Sequence, residues 1–178
     1  MPGSPLPEEL LAAGAACGRL LRERGHRVAV GEGSCGGLIS AALLAVPGAS
    51  TYYLGGAVIY TGKALSGLVS GRVEPPDGLR GASEPWAAHL AEATRVHVDA
   101  TWAIGEGGAA GPSGNRYGDP AGHAWVAVAG PRPATRHVLT GDDDRQANMV
   151  AFAVAALELL AECVAATDAT DPADTGPH

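Results

Sequence analysis

A chain of 178 residues with 46% hydrophobic residues can bury one core without metals or disulfides, and Cys17, Cys35 and Cys163 are too few and too far apart for a disulfide framework or a zinc site. A net charge of -7 with no cluster of Lys or Arg leaves no footprint for nucleic acid or an anionic membrane. No apolar run of about 18 residues occurs, and MPGSPLPEEL lacks the basic-then-apolar order of a secretory signal, so the expected location is the cytoplasm with reduced thiols.

Pro7, then Glu8 and Glu9 where a helix dipole favours acids, predicts a first helix with Leu10, Ala13, Cys17, Leu20 and Leu21 on one face, ended by Gly25. Arg27 to Val30 reads as a short buried strand, and Leu38 to Val46 as a helix stopped by Pro47 and Gly48. Leu54 to Tyr60 has strand composition, and its glycines predict a close approach to the backbone. Lys63 to Val69 reads as a short helix. Ser83-Glu84-Pro85 supplies an N-cap and a first-turn proline for a helix reaching roughly Val96, with Ala87, Leu90 and Thr94 on one side.

Asp99 to Gly105 reads as a strand entering a glycine-rich segment, Gly105 to Pro120, expected to be a long functional loop. His123 to Ala129 and Thr135 to Leu139 predict a hairpin turning at Gly130 to Pro133, and Gln146 to Cys163 a final helix. The order predicts a single layered α/β domain over 7–163, its mixed sheet flanked by helices on both faces, between a flexible stretch 1–6 and a disordered tail 164–178.

Gly31, Gly33 and Gly36 spell G-x-G-x-x-G after a strand, but a dinucleotide site also needs an acid about 20 residues on. The next acid after Glu32 is Glu74, so that reading fails. What survives is a row of backbone N–H groups, Ser34 to Gly37, at the start of a helix, suited to a phosphate or a developing oxyanion. Either Ser34 or Cys35 sits where a nucleophile would; the plainer alternative makes Ser34 a cap and Cys35 core filling. Lys63, the single lysine against eleven arginines, follows Tyr60 past a strand end; desolvated, its amine can act as base toward serine, and solvated it is a surface charge. Gly111-Pro112 suits a phosphate nest or a tight turn. The six histidines show no H-x-x-x-H or H-E-x-x-H spacing, and Asp142 to Asp144 suit a helix dipole, so neither a metal nor a cofactor is expected.

Five segments carry a family likeness. Glu32 to Gly37 is similar to a loop A-E-S-C-T-G-G, Tyr60-Thr61 to a Y-S or Y-T pair, Gly81 to Pro85 to G-A-V-S-E-P, Gly108 to Pro112 to G-I-A-G-P, and Gly141-Asp142 to a G-D pair before the last helix. In this order they resemble the C-terminal domain of the competence/damage-inducible protein CinA, over nearly all of residues 7 to 163. The resemblance implies a homo-oligomeric amidohydrolase that takes a small-molecule nucleotide, converting nicotinamide mononucleotide to nicotinate mononucleotide and ammonia without a metal. It implies Ser34, Tyr60 and Lys63 as the catalytic set. Glu32, Cys35, Gly36, Gly37, Ser83, Gly108, Ala110, Gly111, Pro112, Arg116 and Arg145 would line the substrate site. The chain departs from the family pattern where Gly33 replaces the serine, Leu65 the lysine, and Gly107 a serine or threonine. The alternative these departures imply is a noncatalytic nucleotide-binding member.

Overall fold

Strands β1 (Val28–Glu32), β2 (Tyr53–Val58), β3 (Trp102–Ala109), β4 (His123–Ala129) and β5 (Ala134–Leu139) form one sheet in a computed structural model that describes residues 6–69 and 72–167. Their order is β2-β1-β3-β4-β5; β1 runs parallel to β2 and β3, while the β3–β4 and β4–β5 pairs are antiparallel. Of the helices α1 (Glu8–Arg24), α2 (Leu38–Leu44), α3 (Gly62–Leu68), α4 (Glu84–His97) and α5 (Arg145–Ala165), the first, second and fifth pack together on one face of the sheet and α4 on the other. This is the expected mixed sheet with helices on both faces.

Strand alternation divides the core. Val28, Val30, Trp102, Ile104, Ala124, Val126 and Val128 join Leu10, Phe152, Leu157 and Leu160 in the larger cluster. Toward α4 the buried hydrophobic residues of the same strands are alanines, with Trp125 packed beside them: Ala127 and Ala129 meet Ala87 and Ala91, and Ala29 and Ala103 meet Ala100. Gly31 and Gly105 bring the helix closer still. A Cβ on Gly105 would lie 2.0 Å from the Ala87 carbonyl oxygen, and one on Gly31 2.6 Å from Thr94 Oγ1. Gly31 is thus a packing glycine, and its place in G-x-G-x-x-G has nothing to do with a ligand. α5 is long and apolar enough to cross a membrane by length and composition, but half of that stretch is buried in the core.

Several element ends differ from expectation. Pro7 is the N-cap of α1 and not its first residue; its carbonyl accepts from Leu11 N. α2 stops at Leu44, and β2 ends at Val58, leaving Tyr60 in the following turn. The main correction is β3, which runs on through Glu106-Gly107-Gly108-Ala109 because those residues pair with His123 to Val126 of β4. Ladder pairing outweighs the poor strand propensity of glycine, and the long loop shrinks to 110–122. Of the two β2 glycines, Gly56 does face a close approach, by Tyr53 and Ser40, whereas Gly55 is open. At the C-terminal end α5 continues to Ala165, and Val164 and Thr167 are buried, with Arg24 donating to the Thr167 carbonyl, so residues 164–167 belong to the folded unit and not to the tail expected there. Residues 1–5 and 168–178, where a flexible stretch and a tail are expected, lie outside the described residues.

Candidate active site

β1 ends in Glu32, and the chain turns back through Gly36 (φ 64°) and Gly37 (φ 104°) into α2, a path that favours glycine at both positions. Glu32 is fully buried, and its carboxylate holds this turn from below. Oε2 accepts from Gly37 N (2.9 Å) and Ile39 N (3.2 Å); Oε1 accepts from Ser40 N (3.1 Å) and Ser40 Oγ (2.7 Å). A carboxylate at a helix start meets both unpaired amides and the positive end of the dipole.

A second carboxylate closes the loop from the other side. Trp102, Ile104 and Glu106 alternate along β3 toward the larger core cluster, which puts Glu106 under the loop and fully out of solvent. Its Oε2 accepts from Gly33 N (3.0 Å) and Cys35 N (2.9 Å), and its Oε1 accepts a short hydrogen bond from Ser34 Oγ. Burial pushes the Glu106 carboxyl above its ordinary value, against the hydrogen bonds from Ser34, Cys35 and Gly33 that favour its charge. Two of the four amides expected to cradle an anion, those of Cys35 and Gly37, are therefore taken by the chain's own acids. The amides of Ser34 and Gly36 keep no hydrogen-bond partner among the described residues.

The same packing sets the two candidate nucleophiles apart. Cys35 is fully buried, and burial first, then the charges of Glu106 and Glu32, push its thiol well up. It stays a neutral thiol at physiological pH, and a thiol is a poor nucleophile. Ser34 is 6% exposed and opens onto a cleft with two lobes, about 270 and 230 Å³, that share Ser34, Tyr60, Gly108 and Asn115. One lobe is walled by Trp86, Tyr117 and Arg116, the other by Ala110, Gly111, Ser113, Gly114 and Arg145. A larger hollow of about 520 Å³ between α4 and the β4–β5 hairpin has one lining hydroxyl, Thr135, which donates to Glu84, and its charged residues Glu92 and Arg95 pair with each other.

Loop 110–122 is built to hold these walls. Asp119 is gripped by Arg80 (2.7 Å) and by Asn115 Nδ2 (2.9 Å), while Asn115 Oδ1 accepts from Tyr117 N and Asp119 N. The Tyr117 ring has the Arg80 and Arg116 guanidiniums 5.3 and 5.8 Å from its centroid. Arg145 donates to the Gly111 carbonyl (2.8 Å) and, at 3.4 Å, to the Tyr60 hydroxyl, fixing the far lobe.

Of the residues expected from sequence, Ser34, Tyr60, Gly108, Ala110, Gly111, Arg116 and Arg145 meet around this cleft. Lys63 does not: it is exposed on α3 and lines neither lobe, and the Ser34 hydroxyl goes to Glu106 instead of to an amine. Glu32, Cys35, Gly36 and Gly37 shape the loop and line neither lobe. Ser83 caps α4, accepting from Trp86 N and donating to the Arg80 carbonyl, and Pro112, joined to Gly111 by a cis peptide, lines neither lobe. Reading the sequence misses Glu106, Trp86, Asn115 and Tyr117. For Glu106 the signal is there: a carboxylate on the core side of an alternating strand. Among the described residues no group of three or more His, Cys, Asp and Glu is arranged to hold a metal.

Comparison with known proteins identifies the family of the chain. The family model of the CinA C-terminal domain matches residues 11–164. A CinA-like protein of Anaeromyxobacter sp. (strain K) is 39% identical over 157 residues, covering 87% of this chain and 36% of its own length. One of Prochlorococcus marinus is 38% identical over 112 residues, 63% of this chain and 26% of its own. The chain thus spans between about a quarter and about a third of the length of these relatives. Among solved structures, the competence damage-inducible protein A of Klebsiella pneumoniae aligns with a TM-score of 0.81 at 26% identity, covering 89% of this chain and 99% of that one. A competence/damage inducible protein from Agrobacterium tumefaciens shares the fold, with a TM-score of 0.82 at 24% identity over 90% of this chain and 99% of that one. The chain belongs to the CinA C-terminal domain family.

Proposed function

We propose that the chain is an amidohydrolase that cleaves the carboxamide of a pyridine nucleotide, converting nicotinamide mononucleotide to nicotinate mononucleotide and ammonia with Ser34 as nucleophile. The observation that carries this reading is the Ser34 hydroxyl, hydrogen-bonded to a buried carboxylate on the floor where the two lobes meet. A pyridine ring suits the lobe of Trp86 and Tyr117, and a 5′-phosphate suits the lobe of Gly111, Ser113 and Arg145. The unpartnered Ser34 amide is the natural donor to an oxyanion formed at its own side chain. On the family resemblance the protein would act in the cytoplasm as a homo-oligomer.

A second reading, a noncatalytic nucleotide-binding protein, draws support from the loop amides that Glu32 and Glu106 already satisfy, since fewer donors remain for a transition state. The two are separated by measuring ammonia release from nicotinamide mononucleotide beside a calorimetric binding titration. Ammonia release that disappears in Ser34→Ala supports the amidohydrolase. Binding without ammonia supports the second reading, and absence of binding overturns both.

A further inference from the structure

We infer that Glu106 is the proton acceptor of Ser34, filling the role that the family pattern gives to a lysine. The inference rests on the reading of Ser34 as nucleophile. Three observations converge on it. The Ser34 hydroxyl donates to Glu106 Oε1, so the proton that must leave already points at a base. The other carboxylate oxygen is pinned by Gly33 N and Cys35 N at 3.0 and 2.9 Å, which fixes the side chain as the third member of a catalytic unit would. And Lys63, the one lysine of the chain, is exposed and faces neither lobe.

The departures from the family pattern then read as one exchange. Glycine at 33 removes a hydroxyl from that position and Ser34 supplies it one residue later; a Cβ at position 33 would crowd the Glu106 carbonyl oxygen at 3.3 Å. Glu106 stands on the core side of β3, directly beneath that hydroxyl.

The step balances without a cofactor. Ser34 Oγ bonds to the carboxamide carbon as its proton passes to Glu106, and the carbonyl π pair moves onto oxygen. When the carbonyl re-forms, the C–N bond breaks and the Glu106 proton leaves with the nitrogen as ammonia. Water then attacks the acyl-serine, giving its proton to Glu106. Collapse of this second intermediate breaks the bond to Oγ, and the same proton returns to Ser34 as the carboxylic acid leaves. Burial raises Glu106 above its ordinary value, which brings its basicity closer to what the serine proton requires. The titratable group packed against it is Cys35, itself pushed well up, and Glu32 acts on that same thiol.

The test is labelling of Ser34 by a fluorophosphonate, followed by intact mass, in the unmodified protein, Glu106→Gln and Lys63→Ala, with ammonia release run in parallel. Expected is a fall of ~100-fold or more in labelling rate for Glu106→Gln and a change within about twofold for Lys63→Ala. In the unmodified protein the labelling rate should rise with pH as Glu106 ionises, with a midpoint above the ordinary value of 4.5, and that inflection should vanish in Glu106→Gln. Should Glu106→Gln fail to fold, the pH profile of the unmodified protein still decides. A labelling rate that is flat through that range, equal labelling in Glu106→Gln, loss in Lys63→Ala, or an unlabelled Ser34 overturns the inference. Glu106-dependent labelling without ammonia supports it while overturning nicotinamide mononucleotide as the substrate.

Discussion

Replacing Gly105 by Ala tests whether the seam between α4 and the sheet is set by backbone contact. The added methyl would stand 2.0 Å from the Ala87 carbonyl oxygen, 2.5 Å from Ala91 N and 3.0 Å from the Ala91 Cβ. The first two obstacles are main chain, which cannot rotate aside as a side chain can. Tolerable contact begins near 3.0 Å, so α4 must retreat by about 1 Å along this seam, loosening the alanine contacts at Ala87 and Ala91 and the burial of Leu90. Overpacking of this kind costs about 2–4 kcal/mol, which for a chain of this size lowers Tm by about 6–12 °C. Differential scanning calorimetry of Gly105→Ala against Gly55→Ala is the measurement. Gly55, also in a strand, has nothing within 4 Å of a built Cβ and should change Tm by little. A Gly105→Ala protein melting within a degree or two of Gly55→Ala would refute the argument that backbone proximity fixes this packing.

Among the described residues Thr94 Oγ1 is buried without a hydrogen-bond partner. Thr94→Val keeps the shape and removes the stranded oxygen, and should stabilise the protein by about 1 kcal/mol in urea titration; a loss of stability would mean the hydroxyl is satisfied after all. The pH dependence of stability has a defined sign at Glu106. Its folded carboxyl is raised above 4.5, so the folded chain holds the proton more tightly than the unfolded one. That contribution is complete below about 4.5 and is lost as pH climbs through the folded value. The stability of the unmodified protein relative to Glu106→Gln should therefore fall between about pH 4 and the raised value, and a difference that grows instead would refute the assignment.

What the sequence discloses tracks the range of the forces involved. Ser83 and Asp144 are legible because a cap acts over two or three residues: Asp144 Oδ1 accepts from Gln146 N and Ala147 N, so the acidic run 142–144 serves the helix as expected. The β4–β5 hairpin is legible from two strand-like runs joined by a short turn, whereas the order of the other strands is set by nonlocal pairing. Glu106 stays hidden because Gly105 to Gly108 look like loop by composition, and only pairing with β4 makes them strand. The anchor of the cleft wall is likewise nonlocal, since Arg80 meets Asp119 across 39 positions of chain. Lys63 misleads for the opposite reason. Proximity in sequence to Tyr60 suggested a shared site, but the start of α3 at Gly62 leaves Tyr60 at the cleft and carries Lys63 outward.

The two acids that clamp the loop from either side have an entropic consequence. Ordering a stretch of backbone costs about 1–2 kcal/mol per residue, and for residues 33 to 37 that loss is met during folding, by Glu32 and Glu106, with no guest required. A molecule arriving at the cleft finds its floor already in register. Its affinity then reflects contacts with the walls, free of any charge for organising the turn beneath.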